Sequence, residues 1–154
     1  MTLSTTRTTR VIRATPEELY GAFLDPAALV AWLPPAGMTG RMHTCDARVG
    51  GGYEMSLYYP PDERSFRGKT SDREDRVAVR FVELAPPRRI VEAVRFVSDD
   101  PAYGGEMTLT VSLDPTAEGT AVTLTFDDLP PGLRPEDNDA GARASLEQLA
   151  RRFE

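Results

Sequence analysis

The segment RATPEELYGAFLDPAALVAWLPP (13–35) predicts two short helices that follow each other directly. Thr15 can cap the first helix with its hydroxyl, and Pro16 suits the first helical position because no amide hydrogen is needed there. Asp25 ends this helix and caps the second, which stops at Pro34 since proline cannot continue a helix. Apolar residues recur on one side of each helix, so both should pack against another layer.

The chain on both sides of this helical segment has the two-residue period of β-strands. Residues 106–113 show it most clearly, because apolar and polar residues alternate there without interruption. An exposed charged hairpin, built around a short strand at 65–70, is predicted at 62–76. Strands are predicted at 5–13, 38–48, 53–59, 77–81, 89–97, 106–113 and 122–126. Such alternation is typical of an antiparallel sheet that is buried on one face only.

The C-terminal segment returns to the helical period. A helix start at Pro135 is followed by apolar residues at i, i+4, i+7 and i+11: Ala142, Leu146, Leu149 and Phe153. The predicted fold class is therefore α+β: a curved antiparallel sheet of six to seven strands gripping a long C-terminal helix, with two short helices after the first strand. A single helix about 10 Å wide cannot fill the concave side of that sheet. We therefore expect an apolar pocket between sheet and helix.

The composition indicates one soluble domain, residues 1–154. The net charge is −6 and both signs are interleaved, which argues against nucleic acid and anionic membranes because both need a basic surface. No stretch approaches the roughly 20 apolar residues of a membrane span, and the N-terminus does not resemble a signal peptide. The single cysteine cannot close an internal disulfide. We expect a cytoplasmic protein.

Four segments of the chain resemble the START-like (SRPBCC) superfamily with its helix-grip fold. The similarity is greatest to the branch of heat-shock-protein ATPase activator homologues and the calicheamicin-resistance protein. The matching segments are RVIRATPEELYGAFLDPAALVAWLPP (10–35), DARVGGGYEMSL (46–57), FVELAPPRRIV (81–91) and SLEQLARRFE (145–154). They follow the family's order over nearly the whole chain.

The resemblance implies a ligand cavity between the sheet and the C-terminal helix. Members include lipid carriers, hormone receptors, cyclases, co-chaperone domains and a self-sacrificing toxin-resistance protein, so the fold does not decide among functions. The eukaryotic activators also carry a separate N-terminal chaperone-binding domain. No segment here is long enough to be one, which argues against a chaperone partner.

The residues expected to line the cavity combine apolar inward positions with a few polar side chains. They are Trp32, His43, Tyr53, Met55, Leu57, Phe81, Glu92, Val94, Met107, Leu109, Leu146 and Leu149. The aromatic members offer apolar surface together with hydrogen-bonding atoms. For Trp32 we prefer the alternative, which is plain packing in the core.

Glu92 alternates with apolar residues along its predicted strand, which places a carboxyl group on a buried face. Burial of a carboxylate is costly unless it is paired or protonated, so Glu92 needs a partner or a ligand. The alternative is that the strand buries its other face, formed by Val91, Ala93 and Val97.

His43 is the only histidine, and its position on a strand allows it to point into the pocket or out to solvent. Cys45 shares the face of His43 if that strand is regular. A cysteine beside a histidine can act as a nucleophile, but no orienting third group accompanies this pair. We favour a buried thiol for Cys45.

Nothing in the sequence indicates a cofactor or a metal, because no metal-ligand spacing and no cysteine pair is present. The glycines 50–52 lack the lysine and the following helix of a phosphate loop, so they predict a bulge or tight bend. An edge strand or the charged segment 62–76 could support a homodimer.

The function favoured by these patterns is binding of a hydrophobic small molecule, such as a lipid, polyketide or aromatic metabolite, without catalysis. The first alternative is a cyclase or hydrolase that uses His43 or Glu92 as acid or base. The second is an interaction domain similar to the chaperone ATPase activators, which would need an exposed apolar patch.

Overall fold

The computed structural model describes residues 4–35, 37–60 and 74–154. Within these residues the elements run in the following order: β1 Thr6–Ile12, α1 Pro16–Leu24, α2 Pro26–Trp32, β2 Thr39–Asp46, β3 Gly52–Tyr58, β4 Glu74–Ala85, β5 Arg89–Phe96, a 3-10 turn at Pro101–Tyr103, β6 Met107–Thr116, β7 Gly119–Asp127 and α3 Pro135–Arg152. Two short helices after the first strand and a long helix at the end confirm the predicted α+β class.

The strands of the described residues form one antiparallel sheet in the order β1-β7-β6-β5-β4-β3-β2. Neighbours in sequence are neighbours in space from β2 to β7, as expected for a meander, and β1 joins the sheet beside β7. The outermost strands are therefore β1 and β2. The strand predicted at 65–70 lies outside the described residues, as does most of the hairpin predicted at 62–76.

The start of α1 is fixed by a capping box, in which two orphan amides at the helix end are satisfied reciprocally. The Glu18 amide donates to the Thr15 hydroxyl, and the Thr15 amide donates to the Glu18 carboxylate, both at 3.1 Å. At the start of α2, the Ala27 amide donates to the Asp25 side chain at 3.2 Å. Both caps stand at the predicted positions.

Helix α3 is attached at both of its ends. Near its C-terminus, the Gln148 side-chain amide donates to the carbonyl oxygen of Trp32 at 2.7 Å, and also to that of Pro34. Near its N-terminus, the Thr8 hydroxyl donates to Asp139 at 2.6 Å. The helix therefore spans from the end of α2 to the first strand and covers one face of the sheet, which we call the inner face. The opposite face is the outer face.

Candidate functional site

The apolar residues of the inner face differ in burial from one end of the sheet to the other. Toward the end that packs near α1, five of them are sealed, with exposures of 0–1%: Ile12, Ile90, Val111, Leu113 and Val122. Toward the end where α3 begins, a second set remains half-buried, although Met107 beside it is only 4% exposed. We call this set the open end: Leu57, Val77, Phe96, Leu109 and Phe126. Cross-strand pairs join Val77 to Phe96 and Leu109 to Phe126.

The residues predicted to line a cavity fall into three groups. Six are 0–2% exposed and are covered by other protein atoms: Trp32, Met55, Phe81, Glu92, Leu146 and Leu149. Three are 4–7% exposed: Tyr53, Val94 and Met107. Leu57 and Leu109 are half-buried at the open end. His43 is half-buried too, but on the other side of the sheet, as described below.

Trp32 has a structural role in joining the two short helices. Its indole nitrogen donates to the Ala22 carbonyl oxygen at 3.0 Å. Its ring meets the Phe23 ring edge-on, with the centroids 4.9 Å apart. Because its only polar atom is used within the protein, Trp32 offers no free hydrogen-bonding group to a ligand.

Glu92 lies in the middle of the inner face. Its direct neighbours across the strands are Phe81 and Leu109, and Ile90 and Val94 flank it on β5. The side chain is 2% exposed. Burial raises the pKa of this carboxyl group from 4.5 to about 8, so Glu92 is a neutral acid at neutral pH. Of the two faces that the sequence left open, the structure therefore buries the one with Glu92.

The Glu92 carboxyl group has no hydrogen-bond or ion-pair partner among residues 4–35, 37–60 and 74–154. Among the same residues, every side-chain nitrogen or oxygen atom that is inaccessible to solvent has a hydrogen-bond partner. The Glu92 oxygens are therefore not fully sealed, and they carry part of the small residual exposure of this side chain.

Tyr53 is an aromatic residue with a polar group close enough to Glu92 to interact with it electrostatically. Its ring centroid is 6.0 Å from that of Phe81, the cross-strand neighbour of Glu92. Burial raises the phenol pKa well above 10, and the nearby Glu92 and Cys45 raise it further. Cys45 pairs with Tyr53 across β2 and β3, and burial is also the main reason its thiol pKa is raised. All three groups are therefore protonated at neutral pH.

Comparison with known proteins agrees with this architecture. The sequence profile described as "Activator of Hsp90 ATPase homolog 1-like protein" matches residues 13–154. The chain belongs to this family. The START-like resemblance of the sequence is thereby confirmed, and we refer to the family below as AHSA1.

Solved structures extend the similarity across the whole AHSA1 fold. A Chromobacterium violaceum protein is 36% identical, with a TM-score of 0.85 over 97% of this chain and 96% of the other. A Rhizobium loti protein is 27% identical, with a TM-score of 0.74 over 96% and 95% of the two chains. The Silicibacter pomeroyi AHSA1 protein is 19% identical, with a TM-score of 0.78 over 97% and 96%, and shows the fold alone. No curated protein matches the sequence.

His43 lies at a β-bulge on the outer face of this AHSA1 domain. The register of β2 against β3 shifts between Met42 and Thr44, so His43 is an extra residue and the alternation of faces is interrupted. Its Nε2 lies 2.8 Å from the hydroxyl of Ser56, which alternates with the core residue Met55 and so faces outward. The expectation that Cys45 shares the face of His43 is wrong, because it required a regular strand.

The contact of His43 with Ser56 does not form a nucleophilic site. Ser56 donates its hydroxyl hydrogen to Glu74, so its oxygen can only accept a hydrogen bond from His43. A serine nucleophile would have to donate to the histidine instead. Ser56 is also 0% exposed. The chain of three side chains therefore ties β2, β3 and β4 together on the outer face.

A cleft of about 450 Å³ lies on the outer face, beside the glycines 50–52. Its side chains include Glu54, Arg80, Arg95 and Glu106, and Arg80 lies 3.8 Å from Glu106. This polar cleft is separate from the apolar space predicted on the inner face. The glycines form a tight bend, since Gly50 has a φ of 85° and its amide donates to the Phe81 carbonyl at 2.9 Å.

In the part of the chain that the structure describes, no group of three or more histidine, cysteine, aspartate or glutamate side chains is arranged to hold a metal ion. Among the described helices, none is long and apolar enough to cross a bilayer.

Proposed function

We propose that this protein binds a hydrophobic small molecule between the inner face of the sheet and α3, and that the molecule enters at the open end. The observation that carries the proposal is the change in burial along the inner face. Apolar side chains at one end are 0–1% exposed, whereas those of the open end are only half-buried. Exposed apolar surface on a concave face is where an apolar ligand gains most from desolvation.

Family membership supports the same function. The START-like resemblance implies a cavity in this position, and the AHSA1 assignment covers all the elements from α1 to α3. The guest is an apolar metabolite of the lipid, polyketide or aromatic kind. Leu57 and Leu109 are the predicted ligand residues that such a guest meets first, because they are half-buried before any side chain moves.

The catalytic alternative has less support than binding. The two proposed acid/base residues lie on different faces of the sheet, since His43 contacts Ser56 outside and Glu92 is buried inside. They cannot act together on one substrate. The chaperone-activator role, a cytoplasmic location, the organisation as one domain and a homodimer stay predictions.

The test is calorimetric titration with isopropylnaphthalene, a neutral apolar probe, at neutral pH. We expect saturable binding by the unmodified protein and roughly tenfold weaker binding by Leu109→Gln, because the ligand would then cover an unpaired amide. The control is Val82→Gln, a matched change at a residue that is 44% exposed. Binding that is absent, or that Leu109→Gln and Val82→Gln weaken equally, would contradict the proposal.

A further inference from the structure

We infer that Glu92 selects the ligand by donating a hydrogen bond, so that the guest carries a neutral acceptor, such as a carbonyl or ether oxygen, on an apolar body. This inference rests on the proposed function and adds the polar half of the ligand's chemistry.

The first step is that Glu92 has an unused hydrogen-bonding group. The carboxyl group is in the middle of the inner face, 2% exposed and without a partner among the described residues. Its oxygens keep a small residual exposure, and no described protein group uses them. A glutamine or leucine at this position would lack the cost of burying an ionisable group, so the carboxyl group is better explained by a ligand than by stability.

The second step is that the open end leads to Glu92. Leu109 is half-buried at the open end and is also the direct cross-strand neighbour of Glu92. On its other side, Leu109 pairs with Phe126, which is half-buried as well. A guest that rests on Leu109 and Phe126 therefore has one end beside the carboxyl group.

The third step decides which chemistry the carboxyl group recognises. The pKa of about 8 makes Glu92 a neutral acid at neutral pH, and a neutral acid can donate a hydrogen bond. Tyr53 interacts electrostatically with both Glu92 and Cys45, and the raised pKa values of Tyr53 and Cys45 also keep them protonated. A cationic guest would have to lose its own hydration as well as ionise Glu92, which the apolar surroundings oppose. A guest with a neutral hydrogen-bond acceptor fits beside Glu92, and the Tyr53 hydroxyl can supply a second hydrogen-bond donor to it.

The experiment compares three probes of one shape: methyl naphthyl ketone, isopropylnaphthalene and naphthylethylamine, all as the β-isomer. They present an acceptor, an apolar group and a cation, respectively, to the same site. Calorimetric titration at pH 6.5 is expected to show the ketone binding about tenfold more tightly than isopropylnaphthalene, as one added hydrogen bond allows. The preference should decline as the pH is raised through about 8, because the ionised carboxylate no longer donates.

Two variants connect this preference to Glu92. Glu92→Leu should remove the preference for the ketone and leave the affinity for isopropylnaphthalene within about twofold. Glu92→Gln should keep the preference, since its amide still donates, and should make it independent of pH. Thermal unfolding of each variant verifies that it is folded.

The outcomes separate this inference from the proposed function. If isopropylnaphthalene binds at the open end without a preference for the ketone, the inference is wrong and the proposed function stands. A preference for naphthylethylamine, or a ketone preference that survives in Glu92→Leu, also overturns the inference. If no probe binds, the proposed function fails and the inference fails with it.

Discussion

Replacing Glu92 by glutamine should stabilise the folded protein at alkaline pH and leave its stability almost unchanged in acid. In the folded state burial raises the pKa of Glu92 from 4.5 to about 8, whereas the unfolded chain keeps the ordinary value. Between these two pH values the folded state binds more protons than the unfolded state, so stability falls as the pH rises. Above about pH 8 both states are ionised and the loss is complete.

The size of the effect follows from the two pKa values. Each pH unit between them costs about 1.4 kcal/mol of unfolding free energy. The full cost is on the order of 5 kcal/mol, which is a large share of the roughly 5–15 kcal/mol that stabilises an ordinary domain. Tyr53 and Cys45 add little to the change in unfolding free energy between pH 4.5 and 8. Burial raises the pKa of both groups from ordinary values that already lie at or above 9.

Urea unfolding of the unmodified protein and Glu92→Gln between pH 4.5 and 9 measures this cost. The difference in unfolding free energy should be small at pH 4.5, grow up to about pH 8 and then stay constant. Glu118→Gln is the control, because Glu118 is exposed and its replacement should give a nearly flat difference. Parallel curves for the unmodified protein and Glu92→Gln would refute the conclusion that Glu92 is a buried neutral acid.

Three further substitutions test the packing by urea unfolding at neutral pH. Leu149→Asp, which buries a charge at a residue with 0% exposure, should cost several kcal/mol, and a loss below about 1 kcal/mol would contradict its inward placement. Trp32→Phe removes the hydrogen bond to Ala22 and leaves a void, so we expect a loss of about 2–3 kcal/mol, and an unchanged midpoint would deny its structural role. Gly52→Ala brings a Cβ onto the Val79 carbonyl oxygen and should cost on the order of 3 kcal/mol; full stability would show that the backbones are farther apart.

The helices and the sheet were predictable from local chemistry. Thr15 and Asp25 cap helices in the structure, as their positions before proline indicated. The inner face of β6 contains Met107, Val111 and Leu113 because strict alternation places them on one side. These features depend on neighbours within a few residues along the chain, and a sequence displays such relations directly.

The face of Cys45 relative to His43 was not predictable, because it depends on a bulge. The sequence of β2 has no glycine or proline between Met42 and Thr44 to mark the extra residue. The register shift becomes visible only when β2 is paired with β3, and it turns Cys45 to the inner face beside Tyr53 while His43 stays on the face of Ser56. Predictions that assume a regular strand fail at such a site.

The sequence also could not predict how deeply each residue of the inner face is buried. Val111 and Leu109 belong to the same apolar series of β6, yet Val111 is 0% exposed and Leu109 is half-buried. The difference arises from where α1, α2 and α3 cover the sheet, which local pattern does not determine. The sequence left two faces open for Glu92, the inward one and one that buries Val91, Ala93 and Val97 instead, and its missing partner is a property of the assembled interior.

The most direct test of the ligand-binding account is to locate a bound probe by nuclear Overhauser effects between methyl naphthyl ketone and the methyl-labelled protein. Contacts are predicted with Leu57, Val77 and Leu109 at the open end. Val49 and Val82, which are 60% and 44% exposed, should show none. Contacts confined to Val49 and Val82, or no contacts at all at saturating probe, would contradict the account.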